Sequence, residues 1–189
     1  MSDASKGIAI GPCCVFYGGV YLGYTIGGVK LTLTTETKRI DIDSFGTIVR
    51  KQFITGRTIA VTCPFAESTV ARIASLITDG TLGAGELANS TTLKVNSNVG
   101  YDIAANSKTL TLVDPAFLND AGFNVDAFDL PNGFGDTIWQ SDVKGLVQVL
   151  AAFVTSDMTI NFDPGSPRLV NVQFTGIDTP DGLVSFTNL

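Results

Sequence analysis

Short stretches in which apolar and polar residues alternate recur along most of this chain. Between Val29 and Thr35 every second residue is apolar, and Arg39 to Asp43 and Lys108 to Val113 repeat this period of two. Such a period is typical of a β-strand with one buried face. Glycine-containing turns separate the stretches, so the pattern predicts a mainly β protein.

Other segments with strand-like composition extend this prediction over both halves of the chain. They are rich in β-branched residues, which fit a pleated surface better than a helix. They are Cys13 to Tyr17, Val20 to Tyr24, Ile48 to Ile54, Thr58 to Cys63, Thr91 to Val95, Tyr101 to Ala104, Thr137 to Ser141, Leu146 to Thr155, Met158 to Phe162, Arg168 to Gly176 and Leu183 to Thr187. Proline and glycine predict turns at residues 163–165 and 179–182.

One segment, residues 67–78, has the spacing of a helix instead. Its apolar residues fall at i, i+3, i+4 and i+7, which predicts a stripe packed on a sheet. The stripe consists of Val70, Ile73, Ala74 and Ile77. Glu67 lies near the expected start, where the helix dipole favours an acid, and Gly80 is the expected C-cap.

The length of the chain indicates a single domain. The chain has 189 residues, with no internal repeat. Residues 1–12 lack an amphipathic stripe and are expected to form a flexible N-terminal arm, which leaves residues 13–189 as the domain. Residues 114–135 predict a long irregular loop, and loops of that length commonly contact a partner.

Charge and composition narrow the classes of function. The net charge is −6, which argues against a protein that binds phosphate backbones. No apolar run reaches the ~20 residues of a membrane span, and the first residues lack the apolar segment of a secretory signal. We therefore expect a cytoplasmic chain with free thiols and no membrane partner.

Candidate catalytic and metal-binding residues are sparse. The chain contains no histidine, which excludes histidine-based acid–base or nucleophilic catalysis. Cys63 is expected to be a buried structural thiol, and of the pair Cys13 and Cys14 one is expected in the core and one on the surface. The aspartates of the second half do not match a calcium-binding loop and are expected to cap and turn. No cofactor, no metal and no enzymatic activity are predicted.

The distribution of charge is more informative than its total. Residues 36–57 hold five basic and three acidic residues, a net of +2, while the rest holds seven and 15, a net of −8. Between two long predicted strands, these residues form a basic hairpin on an acidic body. Opposite charges in one chain suit a head-to-tail contact between copies, although a solvated surface hairpin would give the same pattern.

The order of elements between Gly18 and Leu76 resembles the major tail tube proteins of long non-contractile phage tails. The glycine-rich segment from Val20 to Val29 resembles the opening hairpin of that family, and the strand from Lys30 to Thr35 follows it. Next come Arg39-Ile40-Asp41-Ile42-Asp43-Ser44-Phe45-Gly46, an excursion through Gly56, and Phe65-Ala66-Glu67-Ser68-Thr69 at a helix start. The similarity covers about a third of the chain.

The resemblance implies a fold and an assembly. The fold would be two packed antiparallel β-sheets, forming a sandwich or barrel, with one flanking helix, a long hairpin excursion and the terminal arm. Six subunits would form a ring around a lumen, and rings would stack through residues 36–57. The stacking candidates are Lys38, Arg39, Asp41, Asp43, Arg50, Lys51 and Arg57.

The resemblance also implies partners and a location. The partners would be further copies of the chain and the tail-tip initiator, tape-measure and tail terminator proteins. Double-stranded DNA would pass through the lumen without specific binding. An acidic lumen is expected, because carboxylates repel phosphates. The protein would belong to the virion tail, assembled in the bacterial cytoplasm.

Three alternatives remain open. A capsid decoration protein or a fibre module would also be β-rich, but would not form tubes. A carbohydrate-binding sandwich usually presents exposed aromatic residues on one face, whereas Trp139 is the only tryptophan here. An aspartate-based hydrolase would need two carboxylates that converge in a cleft.

Overall fold

The computed structural model describes eleven parts of the chain. These are residues 13–23, 25–41, 49–66, 69–77, 80–84, 91–95, 99–100, 102–115, 146–155, 159–160 and 170–187. They form a mainly β protein with two antiparallel sheets and one α-helix, which confirms the fold class predicted from the sequence.

Eleven strands are present in the described residues. They are β1 (Cys14–Tyr17), β2 (Val20–Tyr21), β3 (Lys30–Asp41), β4 (Val49–Phe65), β5 (Gly80–Ala84), β6 (Thr91–Val95), β7 (Lys108–Val113), β8 (Leu146–Val154), β9 (Thr159–Ile160), β10 (Val170–Gly176) and β11 (Val184–Thr187). The helix α1 spans Val70–Leu76, and a short 3-10 helix spans Ala104–Asn106.

Nine of these strands form one large antiparallel sheet. Its order is β2-β1-β7-β8-β10-β4-β3, with β11 beside β8 and β9 beside β10. Strand β10 shows why the sheet has a core face, since Val170, Val172 and Phe174 are buried while Asn171 and Gln173 are exposed. This period of two places one apolar face against the interior.

The large sheet is strongly curled. Strands β1 and β10 are three positions apart, which would separate them by roughly 14 Å in a flat sheet. The rings of Tyr17 in β1 and Phe174 in β10 nevertheless lie 5.2 Å apart, and the Tyr17 hydroxyl donates to the Ala152 carbonyl at 3.1 Å. Just after β2, Thr25 forms a bridge with Phe65 of β4. The sheet therefore wraps around its own core.

The core fills the inside of this curl. It combines buried side chains of β1, β4, β7, β8 and β10 with Leu22 and with Leu76 of α1. Strand β1 is buried on both faces, because Val15 and Tyr17 enter this core while Cys14 and Phe16 are also inaccessible to solvent. No regular alternation of exposure is therefore visible in that strand.

The helix differs from its prediction at both ends. It begins after Thr69, whose hydroxyl accepts a hydrogen bond from the Arg72 N–H at 3.4 Å, and its C-cap is Ile77. Gly80 opens strand β5 and is not the C-cap. Gly80 lies three residues beyond the C-cap, which is too far along the chain for a capping glycine.

The helical stripe is also corrected. Val70 is 39% exposed, whereas Leu76, which lay outside the predicted stripe, is the buried residue of the helix. Ile73, Ala74 and Ile77 are half-buried. The helix has only two turns, and its buried residue lies in the second.

Residues 80–107 contain more regular structure than the sequence predicted. Strands β5 and β6 pair as a separate two-stranded sheet beside α1, although the sequence predicted no strand at residues 80–84. The predicted strand from Tyr101 to Ala104 is wrong, because the 3-10 helix begins at Ala104. The Asp102 carboxylate accepts from the N–H groups of Ala104 and Ala105 and so favours a helical turn.

Several predictions fall outside the described residues. The N-terminal arm at residues 1–12, nearly all of the long loop at 114–135 and the strand from Thr137 to Ser141 belong here, as do Glu67 and the turn at 163–165. The turn at 179–182 is described, and there the N–H of Gly182 donates to the Thr179 carbonyl at 2.9 Å. Gly182 has a φ of 111°, a conformation that favours glycine.

Candidate functional site

The longest feature of the large sheet is a two-stranded ribbon formed by β3 and β4. Strand β4 pairs with β10 only from Ile59 to Phe65, and β10 ends at Gly176. From Thr58 back to Val49 the described partner of β4 is β3 alone. We use "ribbon" for residues 34–41 of β3 and 49–58 of β4.

The ribbon extends away from the core. Its described side chains are exposed, from Thr34 to Arg39 and from Lys51 to Thr58, apart from half-buried Gly56. At ~3.3 Å per residue, the eight residues on β3 extend it by roughly 23 Å. A two-stranded ribbon of this kind is only marginally stable by itself, so its length requires either a neighbour or a strong turn.

Two irregularities interrupt the register of the ribbon. Glu36 pairs with Gly56 and Thr37 with Ile54, which leaves Thr55 as an extra residue on β4. Ile40 pairs with Lys51 and Asp41 with Val49, which leaves Arg50 as a second one. Such bulges bend a strand and increase its twist, and they re-aim the side chains beyond them.

The predicted stacking residues lie on this ribbon, except for Asp43, which is outside the described residues. Lys38, Arg39, Lys51 and Arg57 are exposed on its two strands. Asp41 and Arg50 lie in β3 and β4 near the distal end. The structure thus collects four exposed basic side chains on one extension, with Glu36 as the exposed acid among them.

Sequence reasoning missed the apolar residues of the ribbon. Phe53 is 50% exposed and Ile54 is 56% exposed, and Leu33 at its base is 45% exposed. Because Phe53 and Ile54 are consecutive in a strand, they break the alternation that would assign either of them to a buried face. The signal in the sequence was this adjacent apolar pair within a basic segment, which one sheet face cannot bury.

Interstrand contacts on the ribbon are polar and solvent-exposed. The side-chain amide of Gln52 donates to the Thr37 hydroxyl at 2.7 Å. Lys38 stands directly opposite Phe53 in the register. These contacts align the two strands, but an exposed hydrogen bond stabilises a fold only slightly, because water replaces it readily.

The cysteines belong to the core and not to a reactive site. Cys14 and Cys63 are fully buried, and Cys13 is half-buried. Burial raises the pKa of Cys13 to about 12 and that of Cys14 to about 11, and it raises the pKa of Cys63 as well. The thiolate is the nucleophilic form, so the raised pKa values disfavour reaction of these thiols at neutral pH. The prediction of a structural Cys63 is confirmed.

The described residues offer little other chemistry. Among them, no three acidic or cysteine side chains are grouped so that they could hold a metal ion. Asp102, Asp178 and Asp181 are exposed, and Asp102 serves the turn described above. Nor does this part of the chain hold a helix long and apolar enough to span a membrane.

Comparisons with known proteins found similarity among solved structures, and no family. A scan against protein-family models and a search of curated proteins found no match. Among solved structures, the chain is similar to a subunit of the tail of an empty GTA particle, computed with helical refinement and C6 symmetry. The TM-score is 0.45 and the identity 11%, over 89% of this chain and 85% of that one. This similarity is too weak to indicate a function.

Proposed function

We propose that the chain is a structural subunit of a phage tail tube, which forms stacked rings around a lumen that conducts DNA. The observation that carries this proposal is the ribbon, a basic extension of roughly 23 Å on a body of opposite charge. The residues of the predicted stacking hairpin, 36–57, hold a net of +2, and the remainder a net of −8. A subunit with such complementary surfaces suits addition of copies in one direction.

The curled sheet supports the same proposal. In the described residues, β2 and β3 end the main path of the sheet, and each has one edge without a strand partner. Exposed strand edges favour pairing with another chain and promote aggregation unless they are covered. Closure of several copies into a ring removes such edges, and we propose six copies, as in the family that the sequence resembles.

The partners follow from that role. The chain would contact copies of itself within and between rings, and the tail-tip initiator, tape-measure and tail terminator proteins at the ends and in the lumen. DNA would pass without specific binding. The protein would act in the virion tail after assembly in the host cytoplasm, and it would have no enzymatic activity.

Negative-stain electron microscopy of the concentrated protein, and of phage lysates labelled with antibody, tests the proposal. Hollow tubes with a regular axial repeat, or label along the tail shaft, are expected. Label on capsids or fibres without tubes under any condition would instead support a decoration protein or a fibre module, the second candidate.

Charge reversal on the ribbon tests the stacking role directly. The double substitution Arg50→Glu and Lys51→Glu should leave the monomer folded by circular dichroism but prevent tube formation. Lys94→Glu is a matched control, since Lys94 is exposed on β6, outside the ribbon. Normal tubes from the double variant, or equal loss in the control, would refute the assignment of stacking to this ribbon.

A further inference from the structure

The apolar residues of the ribbon occupy both of its faces at the same level. Ile54 stands opposite Thr37 and Phe53 stands opposite Lys38. Consecutive residues of a strand point to opposite sides, so the two side chains project in opposite directions. Each keeps at least half of its surface exposed in the subunit.

Each face combines an apolar centre with basic neighbours. The alternation of β3 puts Leu33, Thr37 and Arg39 on the face of Ile54, and Arg57 joins them opposite Thr35. The other face carries Phe53 with Lys38 opposite, and Lys51 two residues away on the same strand. Both faces therefore have the composition of a contact surface, an apolar side chain within a charged rim.

A ribbon that lay flat on one neighbour would bury only one of these faces. The other would keep a large apolar side chain and two cationic groups in water, and a two-stranded ribbon would gain little stability from its exposed side. Contact on both faces buries Phe53 and Ile54 together. It also holds the ribbon in one orientation.

We propose that the ribbon inserts as a wedge between two copies of this chain, with Phe53 against one copy and Ile54 against the other. This inference rests on the proposed function, in which a neighbouring ring supplies both copies. Charge complementarity identifies the occupant, because the remainder of the chain has a net of −8 against +2 for residues 36–57. One subunit thereby links two subunits of the next ring.

Assembly of single and double variants tests the two-sided contact. Phe53→Ser and Ile54→Ser should each raise the critical concentration for tube formation about tenfold. Each substitution removes the apolar surface, roughly half of a large side chain, that assembly would bury. The double variant should raise it about a hundredfold, because the two side chains point to opposite faces and would contact different copies. Thr55→Ser is the control on the same exposed strand and should change nothing.

Photo-crosslinking in assembled tubes distinguishes two copies from one. A benzoylphenylalanine at position 53 and one at position 54 should each give intermolecular crosslinks, and to different peptides. A single variant indistinguishable from Thr55→Ser, or intermolecular crosslinks from one position only, would overturn the wedge and leave the tube role intact. Wild-type protein that forms no tubes under any condition would overturn the tube role, and the wedge with it.

Discussion

The two halves of strand β4 both contain apolar and β-branched residues, but their environments are opposite. From Ile59 to Phe65, alternate side chains are fully buried against β10, β3 and the core. From Val49 to Thr58, the same strand continues with the single described partner β3, and Ile54 is 56% exposed. The change occurs where β10 ends, at Gly176, which pairs with Ile59.

The end of a neighbouring strand, and not β4 itself, therefore separates the buried part of β4 from its exposed part. Both halves are rich in β-branched residues and both pair with β3 in an antiparallel register. In the inner half, apolar residues stabilise the subunit. In the outer half they stay exposed in the subunit, and in the proposed tube they would contact a neighbouring copy.

A large loss of stability is expected from a substitution at the junction of the two halves. A methyl group on Gly176 would collide with the side chain of Ile59 and would lie 2.7 Å from Cγ1 of Val149. Gly176→Ala should therefore cost about 3 kcal/mol in the free energy of unfolding by overpacking. Gly83→Ala is the control, because a Cβ at Gly83 meets no atom within 4 Å. Equal denaturation midpoints for the two variants would contradict the close approach at Gly176.

The isoleucines of β4 give a matched pair across the boundary. Ile59→Ala should cost about 3 kcal/mol, because it leaves a cavity in a packed core. Ile54→Ala should change stability by about 0.5 kcal/mol or less, since its side chain is already half exposed. Urea denaturation of the two variants measures both values. A cost at position 54 similar to that at 59 would mean that the ribbon packs on its own subunit.

The reactivity of a thiol should also differ between the inner and the outer half of β4. Cys63 lies in the inner half, where burial raises its pKa, while Thr58 is exposed in the outer half. At pH 8, a cysteine introduced by Thr58→Cys should react with a thiol reagent at least about a hundredfold faster than Cys63. Unchanged kinetics on addition of Thr58→Cys would show that position 58 is covered. Unfolded protein, in which every thiol reacts, provides the control.

The smallest expected difference is between the stability contributions of a buried hydrogen bond in the core and an exposed one on the ribbon. Tyr17→Phe removes a buried donor to the Ala152 carbonyl and should cost about 1.5 kcal/mol. Gln52→Ala removes the exposed hydrogen bond to Thr37 and should cost about 0.5 kcal/mol or less. Thermal denaturation of both variants would measure this difference. A larger loss for Gln52→Ala would show that the ribbon is ordered in the isolated subunit by its own polar contacts.

The alternation of residues was enough to predict most strands of the large sheet. Strands β7, β8, β10 and β11 lie within or close to their predicted bounds, and the long strands β3 and β4 continue into the predicted excursion at residues 36–57. The period of two is a local property that survives in the fold, because each strand has one face against a common core. Cys63 followed the same rule.

The sequence predictions were wrong where packing against other elements outweighs the local pattern of residues. Strand β5, with the sequence Gly-Thr-Leu-Gly-Ala, has weak β propensity and exists through its pairing with β6. The helix buries Leu76 and exposes Val70 because its position against the sheet selects the buried turn, which periodicity could not reveal. Propensity is a weak predictor wherever packing decides.

For the candidate site, the sequence determined the charge contrast between residues 36–57 and the remainder, and the identity of its basic residues. It did not predict that Phe53 and Ile54 stay exposed on opposite faces, since their exposure depends on where β10 ends and how β3 and β4 are registered. The curl that brings Tyr17 to Phe174 is likewise decided only by the tertiary structure. Alternation fixes which residues share a face, whereas strand neighbours distant in sequence decide what each face meets.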